Sequence, residues 1–444
     1  MKRCAVLLLL PFSAGCVLFS AHACAGNPAA FFLAPSTDAK GSGDGQASEK
    51  LFDAACEYAK KHATSNAYRL AYESLHLNPQ LAPARKLLGY VKFRNQWRTP
   101  FEVRQLSAGK VWTDRFGWLS EDYVQRYAKD ERYFRGRWMS AETEARLRAD
   151  INQGWRVESE HYSIVTNRSL EAGVELSQQL EMLHEIWTQA FAGYVIDDAE
   201  LVRRFDGKPP RSRGIKQHSV VHYKTRDEYI AALRKQKPGV EMSLGCYFDT
   251  ERTTYFFAGD EQDVGTVWHE ATHQLFSESR PTARDVGRRN NFWVIEAVAC
   301  YMESLLDHTP EGYVTLGEPH AGRLPAARER LLEDHFYVPL AELVAMGMDD
   351  LQADSRIARI YSQSAGLATF FLQTAEGKYR EAFVGYLRAV YDGRADETTL
   401  ARLVGPSYAD LDAEYQAWMR SGISHQPSTV GDATPIGNAA QSDP

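Results

Sequence analysis

The chain has 444 residues, of which 44% are apolar and 25% are charged, and its formal net charge at pH 7 is −7. A negative net charge argues against nucleic acid as a partner. The length and the apolar content are sufficient for two or three domains.

The first 25 residues have the layout of a secretory signal peptide. A basic start at residues 1–3 is followed by an apolar run and then by small residues as far as Ala25. We therefore predict an exported protein, periplasmic or extracellular, with cleavage before Cys24 or, as we prefer, before Gly26. Cys16 could instead carry a lipid anchor, but the residues before it depart from the lipoprotein pattern. No later segment is long and apolar enough to span a membrane.

Two polar segments and a helical region follow from composition and periodicity. Residues 34–48 and 421–444 are small and polar, which predicts a linker over 26–48 and a disordered tail over 421–444. Over residues 49–93, apolar side chains recur at helical spacing and predict a helical hairpin plus one helix. The end of the hairpin resembles a tetratricopeptide-like repeat, but one copy is too few for an array. A protein partner, if the chain has one, is expected to bind this region.

A tryptophan-containing repeat occupies residues 94–154. Trp97, Trp118 and Trp138 are each followed two residues later by Thr or Ser. In the first and third copies this hydroxyl residue, Thr99 or Ser140, suits a helix N-cap after a short strand. The aromatic residues are interpreted as the packing unit of a small module, with a ligand surface as the alternative.

The remaining segment, residues 155–420, is predicted to form one domain. Residues 155–166 alternate like a strand, 170–191 predict a long amphipathic helix, and 219–223 predict a second strand. A short helix and a pair of aromatic strands follow between residues 229 and 257. The order places a small mixed sheet beside the next helix.

That next helix, over residues 263–277, carries the pattern His-Glu-x-x-His. His269 and His273 differ by only about 40° around the helix, so both imidazoles can reach one metal ion. Glu270 projects from the adjoining face, where it can take a proton from a metal-bound water. The pattern arises by chance in about three of a hundred such sequences, so its context decides.

A third ligand is required for a catalytic zinc, and Glu296 is the candidate. It lies 23 residues after His273, within a second apolar helical segment over residues 292–306. A carboxylate in an apolar segment costs free energy unless it is paired or bound to a metal. The alternative is an ion pair between Glu296 and a local arginine.

These motifs resemble those of the peptidase MA-like (gluzincin) families of zinc peptidases. The resemblance covers residues 263–419 and rests on the segments 267–275, 293–303 and 361–372. It implies hydrolysis of a peptide or protein substrate at a Zn²⁺ ion. It also implies that Tyr361 donates a hydrogen bond to the tetrahedral oxyanion, although Tyr361 could equally belong to the core.

Two positions depart from the family pattern. Ala297 stands where the family usually has Gly after its glutamate ligand. Cys300 stands where some members have an Asp that orients a zinc-binding histidine, so that role must pass to another residue. Glu303, on nearly the same helical face as Glu296, is a candidate.

Other reactive residues give weaker signals. Cys246 and Cys300 could pair or remain buried thiols, and with Cys56 they are too few for a disulfide framework. His218 and His222 share one face of a strand but have no evident third ligand, so we interpret them as structural. The sequence contains no G-x-S-x-G motif, which is the usual sign of a serine hydrolase.

The sequence therefore predicts an α+β protein with a helical N-terminal region, a Trp-rich module and a gluzincin-like domain. The predicted activity is zinc-dependent peptide hydrolysis with Glu270 as base and His269, His273 and Glu296 as ligands. The rival interpretation is a non-catalytic binding protein that keeps the zinc fold. Hydrolysis of a non-peptide amide would have the same sequence signature.

Overall fold

The computed structural model describes residues 30–33, 45–211, 216–308 and 313–421. Over these residues the predicted α+β class is confirmed: helices predominate, and the strands form one five-stranded sheet and four smaller ones. The predicted signal peptide and the predicted tail after Ser421 lie outside the described residues. In the described part of the chain, no helix combines the length and apolarity that crossing a membrane requires.

The N-terminal region contains one strand and three helices: β1 (Ala30–Phe32), α1 (Gly45–Lys60), α2 (Thr64–Leu77) and α3 (Ala82–Leu87). Helices α1 and α2 form the predicted hairpin. The predicted linker over 26–48 is structured at two places, because β1 pairs with residues 313–315 and α1 begins at Gly45. Ser48, which composition assigned to the linker, is buried and its hydroxyl donates a hydrogen bond to the Ser74 carbonyl (2.8 Å).

Three β-hairpins, each followed by a short helix, form the Trp-rich module. The hairpins are β2 (Val91–Phe93) with β3 (Gln96–Arg98), β4 (Lys110–Thr113) with β5 (Gly117–Ser120), and β6 (Glu131–Phe134) with β7 (Arg137–Ser140). The helices are α4 (Pro100–Ser107), α5 (Val124–Tyr127) and α6 (Ala141–Leu147). Val91, expected at the end of a helix, therefore begins a strand, since the preceding helix ends at Leu87.

The two predicted N-caps of this module are confirmed. The Thr99 hydroxyl accepts a hydrogen bond from the Glu102 N–H, and the Ser140 hydroxyl accepts one from the Thr143 N–H (both 3.2 Å). Trp97 is buried, and the other two repeat tryptophans contact aromatic rings of the module. These contacts favour a packing role for the repeat.

A mixed five-stranded sheet follows the Trp-rich module. Its strands are β8 (Trp155–Glu158), β9 (Tyr162–Thr166), β10 (His218–Tyr223), β11 (Cys246–Phe248) and β12 (Thr253–Phe257), in the order β11-β12-β10-β9-β8. Strand β10 is parallel to both neighbours, whereas β11 and β8 are antiparallel edge strands. The predicted single strand over 155–166 is therefore a hairpin. Its turn contains Ser159, whose N–H donates a hydrogen bond to the Tyr162 carbonyl (2.9 Å).

Helices connect and cover this sheet: α7 (Leu170–Ala190), α8 (Ala192–Val195), α9 (Asp198–Phe205) and α10 (Arg226–Leu233). The first of them agrees closely with the predicted amphipathic helix. Its buried side chains, among them Leu180, Leu183 and Trp187, pack into the main core.

The C-terminal half is mainly helical. Its elements are α11 (Val264–Glu278), α12 (Phe292–Met302), β13 (Leu306–His308), β14 (Tyr313–Thr315), α13 (Leu324–Leu332), α14 (Leu340–Ala345), α15 (Met348–Ala353), α16 (Ile357–Gly377), α17 (Arg380–Tyr391), α18 (Thr399–Val404) and α19 (Tyr408–Arg420). Every residue of α12 is buried, since α11 and α16 pack against it. A helix buried on all sides is apolar all round, which makes its single glutamate conspicuous.

The three cysteines of the described residues are free thiols. Cys246 lies in β11 and Cys300 in α12, and both are fully buried. The pairing of these two cysteines that the sequence left open is therefore not formed.

Candidate metal centre

The side chains of both histidines of the sequence motif lie close together on one face of helix α11. The helix begins at an N-cap aspartate, Asp263, whose carboxylate accepts a hydrogen bond from the Thr266 N–H (2.9 Å). One and a half turns later come His269, fully buried, and His273, which is 9% exposed. Their Nε2 atoms lie 3.0 Å apart, as expected for residues four apart on one helical face.

Glu296 completes a three-residue cluster from helix α12. Its Oε2 atom lies 3.4 Å from Nε2 of His269 and 3.8 Å from Nε2 of His273. The side chain is buried, and within the described residues neither carboxylate oxygen has a hydrogen-bond partner. A buried carboxylate without a hydrogen-bond partner is costly unless it is paired with a charge or bound to a cation.

The start of α12 is held by its own hydrogen bonds. Asn291, the residue before the helix, has a left-handed backbone (φ 58°) and is buried. Its side-chain oxygen accepts a hydrogen bond from the Tyr386 hydroxyl (2.6 Å), and its amide donates one to the Asp396 carbonyl (3.2 Å). Glu296, about one turn further along, is thereby fixed relative to α17.

The donor set fits a zinc ion in both chemistry and spacing. Two imidazoles and one carboxylate are a ligand set of catalytic zinc sites. Ligand atoms about 2.1 Å from a tetrahedral zinc are about 3.4 Å apart, which matches the three separations given above. Burial lowers the pKa of His273 to about 4, so this imidazole is neutral at pH 7, whereas the pKa of His269 is raised and its Nε2 would give up a proton when a metal binds.

A second layer of groups orients His269. Its Nδ1 lies 2.7 Å from Oε1 of Glu303, which leaves Nε2 for the metal side. Arg323 donates two hydrogen bonds to the same carboxylate, from Nε to Oε2 (2.7 Å) and from Nη2 to Oε1 (3.1 Å). Burial alone would lower the pKa of His269, but interactions with Cys300, Glu296 and Glu303 outweigh burial and raise it. Glu303, the residue that the sequence suggested for orienting a histidine, thus contacts Nδ1 of His269.

Glu270 faces a cleft that also opens onto two of the ligands. The cleft has a volume of about 530 Å³, and Glu270, His273 and Glu296 are among its lining residues. The Tyr247 N–H, from edge strand β11, donates a hydrogen bond to Oε2 of Glu270 (2.9 Å). This hydrogen bond holds the Glu270 carboxylate at the cleft, close to the side chains of His273 and Glu296 that also line it.

Tyr361 lies against the cluster but does not line the cleft. Its hydroxyl is buried, and among the described residues it has no hydrogen-bond partner. Burial raises the pKa of Tyr361 well above its ordinary value, and the charge of Glu296 adds to this rise. Tyr391 does line the cleft, and its pKa is likewise raised by burial and by neighbours that include Glu296. The structure thus offers a second tyrosine for the role assigned to Tyr361.

The histidines of β10 have separate environments. Nδ1 of His218 lies 2.9 Å from Oε2 of Glu278, which is a buried ion-pair partner. Burial lowers the pKa of His222 to about 4, and Nδ1 of this residue has no hydrogen-bond partner among the described residues. Among the described residues, neither histidine belongs to a group of three His, Cys, Asp or Glu side chains that could hold one metal ion, which favours the structural interpretation of both.

Three parts of the site were not found from the sequence: Arg323, the Tyr247 N–H and Tyr391. Arg323 lies 20 residues after its partner Glu303, and Tyr391 lies 95 residues after Glu296. The only sequence signal for Tyr247 was its place in a strand next to the metal-binding helix. A comparison with known protein families and with characterised proteins finds no match to this chain.

Proposed function

We propose that this protein is a zinc-dependent peptidase of the gluzincin kind. The observation that carries the proposal is the convergence of His269, His273 and Glu296 beside a cleft that Glu270 also faces. The unsatisfied oxygens of Glu296 support a cation at this point. The carboxylate of Glu303 on Nδ1 of His269 supports the same conclusion, because metal-binding histidines usually donate their other N–H to such a group.

Each residue has a distinct role in the proposed reaction. Zinc, when bound, would polarise the scissile carbonyl and make a water more acidic. Glu270, held by the Tyr247 N–H, accepts a proton from the attacking water and passes it to the leaving amine. Arg323 and Glu303 keep His269 oriented, and a cleft tyrosine, Tyr391 or Tyr361, donates a hydrogen bond to the developing oxyanion.

The proposed cellular setting follows from the N-terminal sequence. A protein with a signal peptide over residues 1–25 would act outside the cytoplasm, in the periplasm or the extracellular space. The helical region and the Trp-rich module would then precede the peptidase domain and be available to a protein partner.

Two other functions use the same residues. A non-catalytic binding protein needs the three metal ligands but has no need for a carboxylate at position 270. The placement of Glu270 in the cleft, fixed by a backbone hydrogen bond, therefore favours an enzyme. Hydrolysis of a non-peptide amide requires the same geometry and is separated from peptide hydrolysis only by substrate tests.

The proposal is tested with Glu270→Gln in the mature protein. We expect wild-type protein to hold one zinc and to cleave members of a peptide library, and a chelator to abolish cleavage. The substitution should reduce turnover by about a hundred- to ten-thousand-fold, because the base is lost, while elemental analysis finds zinc unchanged. Exposed Glu142→Gln is the matched control. Full turnover in Glu270→Gln, or joint loss of zinc and activity, would exclude the role of base. Zinc without cleavage by wild type would favour the binding protein.

A further inference from the structure

A cavity lined by three arginines adjoins the cleft. It has a volume of about 660 Å³, within the range of about 300 to 1,000 Å³ that is usual for ligand pockets. Arg284, Arg288 and Arg289 line this cavity, and the first two also line the cleft at Glu270. All three belong to the segment between α11 and α12, the helices that carry the proposed metal ligands.

Two of these arginines lack an acidic partner. Arg288 pairs with Asp285 (3.4 Å), the one acidic residue among those that line the cavity. Arg284 and Arg289 are exposed and form no ion pair within the described part of the chain. Three positive charges and one negative charge therefore face the cavity, which makes it cationic in a chain whose net charge is −7. A concave surface of one sign concentrates ligands of the opposite sign.

The backbone that carries the arginines is held in place. The Ala283 N–H donates a hydrogen bond to the Tyr391 carbonyl (2.8 Å), and the Gly287 carbonyl accepts one from the Met348 N–H (3.0 Å). Gly287 has a left-handed backbone (φ 66°), and a Cβ there would lie 2.5 Å from the Ile295 side chain. The segment is thus packed directly against the residue that precedes Glu296. A fixed backbone lowers the entropy lost when the arginines bind a ligand.

The cleft itself is lined by charges of both signs: Asp249, Glu270, Asp285 and Glu296 are acidic, whereas Arg252, Arg284 and Arg288 are basic. The cleft therefore lacks the excess of positive charge that the cavity has. A carboxylate displaced from the reacting bond toward the adjoining cavity would instead meet Arg284 and Arg289. The planar guanidinium group matches a carboxylate with two parallel hydrogen bonds.

We propose that this arginine cavity is a specificity subsite for a carboxylate of the peptide substrate, on a residue next to the scissile bond or at the C-terminus. This inference rests on the proposed peptidase function and specifies its substrate class as acidic peptides. Arg284 and Arg289 are the residues that select the substrate.

The test compares matched peptides that carry Glu or Gln at each position within four residues of the cleaved bond, each with a free or an amidated C-terminus. We expect kcat/KM to be about ten-fold higher for the preferred Glu peptide than for its Gln twin, mainly through KM. In Arg284→Gln and Arg289→Gln this ratio should fall toward one. Arg234→Gln, an exposed arginine outside both cavities, should keep the wild-type ratio.

The outcomes separate this inference from the proposed function. Equal rates for the Glu and Gln twins together with equal rates for the free and amidated forms, or a preference that survives both arginine substitutions, would overturn the subsite while leaving the peptidase intact. A Glu preference that persists in the amidated twins assigns the subsite to a side chain, and a loss of rate on amidation of both twins assigns it to the terminal carboxylate. If wild type cleaves no peptide, fluorescence anisotropy with the same labelled peptides still tests the cavity. Tighter binding of the Glu peptide or of the free C-terminus, lost in Arg289→Gln, would support it, and equal binding of all four forms would overturn it.

Discussion

Two clusters of histidine and glutamate in this molecule have similar composition and different geometry. One contains His269, His273 and Glu296, and the other contains His161, Glu181 and His184. In the first, two imidazole nitrogens and an unsatisfied carboxylate converge. In the second, Glu181 already accepts hydrogen bonds from the His161 backbone N–H and from its Nδ1 (both 2.6 Å).

The rings of the second cluster are also arranged differently. His161 and His184 are stacked with their centroids 3.6 Å apart and an angle of 15° between planes, so the lone pairs of the two rings lie in nearly parallel planes. The rings of His269 and His273 meet at 80°. Residue type alone therefore does not distinguish a metal centre from an ion-pair cluster. The hydrogen bonds of the carboxylate and the relative orientation of the rings are what differ between the two clusters.

The largest difference between the two clusters is expected when the carboxylate is removed from each of them. We expect Glu296→Gln to lose stoichiometric zinc, because a neutral amide replaces the only anionic ligand. Glu181→Gln should keep the zinc content of the wild type. Elemental analysis of both proteins after zinc-replete purification, with circular dichroism as the folding control, measures the difference. Equal zinc loss in both variants would place a metal in both clusters.

The next prediction concerns which of the two tyrosines near Glu296 donates the hydrogen bond to the oxyanion. Because Tyr391 lines the cleft and Tyr361 does not, Tyr391→Phe should reduce kcat by about a hundred- to a thousand-fold, as loss of an oxyanion donor does. Tyr361→Phe should have a much smaller effect on kcat and no effect on zinc content. Steady-state kinetics on one peptide decides between them, and the reverse order of effects would return the role to Tyr361.

A smaller effect is expected when the outer carboxylate of the metal-type cluster is changed. Glu303→Gln keeps the shape of the side chain but weakens the hydrogen bond at Nδ1 of His269 and the pairing with Arg323. Zinc affinity should fall by about ten- to a hundred-fold, measured by competition with a chelator of known affinity. Exposed Glu142→Gln serves as control. Unchanged affinity would mean that Glu303 does not orient the ligand.

The smallest effect is a pH-dependent contribution to stability from the second cluster. Burial alone would lower the pKa of His161, but the interaction with Glu181 outweighs burial and raises this pKa above 6.5. His161 in turn lowers the pKa of Glu181 below 4.5. The histidine's contribution is complete below about pH 6.5 and is lost as pH rises through its folded pKa. The glutamate's contribution is complete above about pH 4.5 and is lost as pH falls through its folded pKa.

The pair therefore stabilises the fold most between these two limits. Glu181→Gln should lower the free energy of unfolding by about 1 kcal/mol near pH 5.5 and by less at pH 9. Urea unfolding at both pH values checks this prediction. A loss that is the same at pH 5.5 and pH 9 would show that packing, and not charge, is what the substitution removes.

Local patterns in the sequence were enough for many of the helices and strands before residue 306 and for one part of the site. The spacing of His269 and His273 fixes their shared face through helical geometry alone. The hydroxyl residues after the repeat tryptophans predicted the N-caps at Thr99 and Ser140 for the same local reason. The extent of the linker was less predictable, because β1 is stabilised by pairing with residues 313–315, nearly 300 positions away.

The contacts between residues that are distant in sequence could be established only from the tertiary structure. The hydrogen bonds of Arg323 with Glu303 and of the Tyr247 N–H with Glu270 join separate elements, as does the packing of Tyr391 at the cleft. Composition marked Glu296 as unusual, but the 3.4 Å approach to His269 depends on how α12 packs against α11. The sequence was sufficient to predict which side chains lie on a common face of one helix, because the helical backbone fixes the angle between successive side chains. Helix packing and strand pairing decided which faces meet.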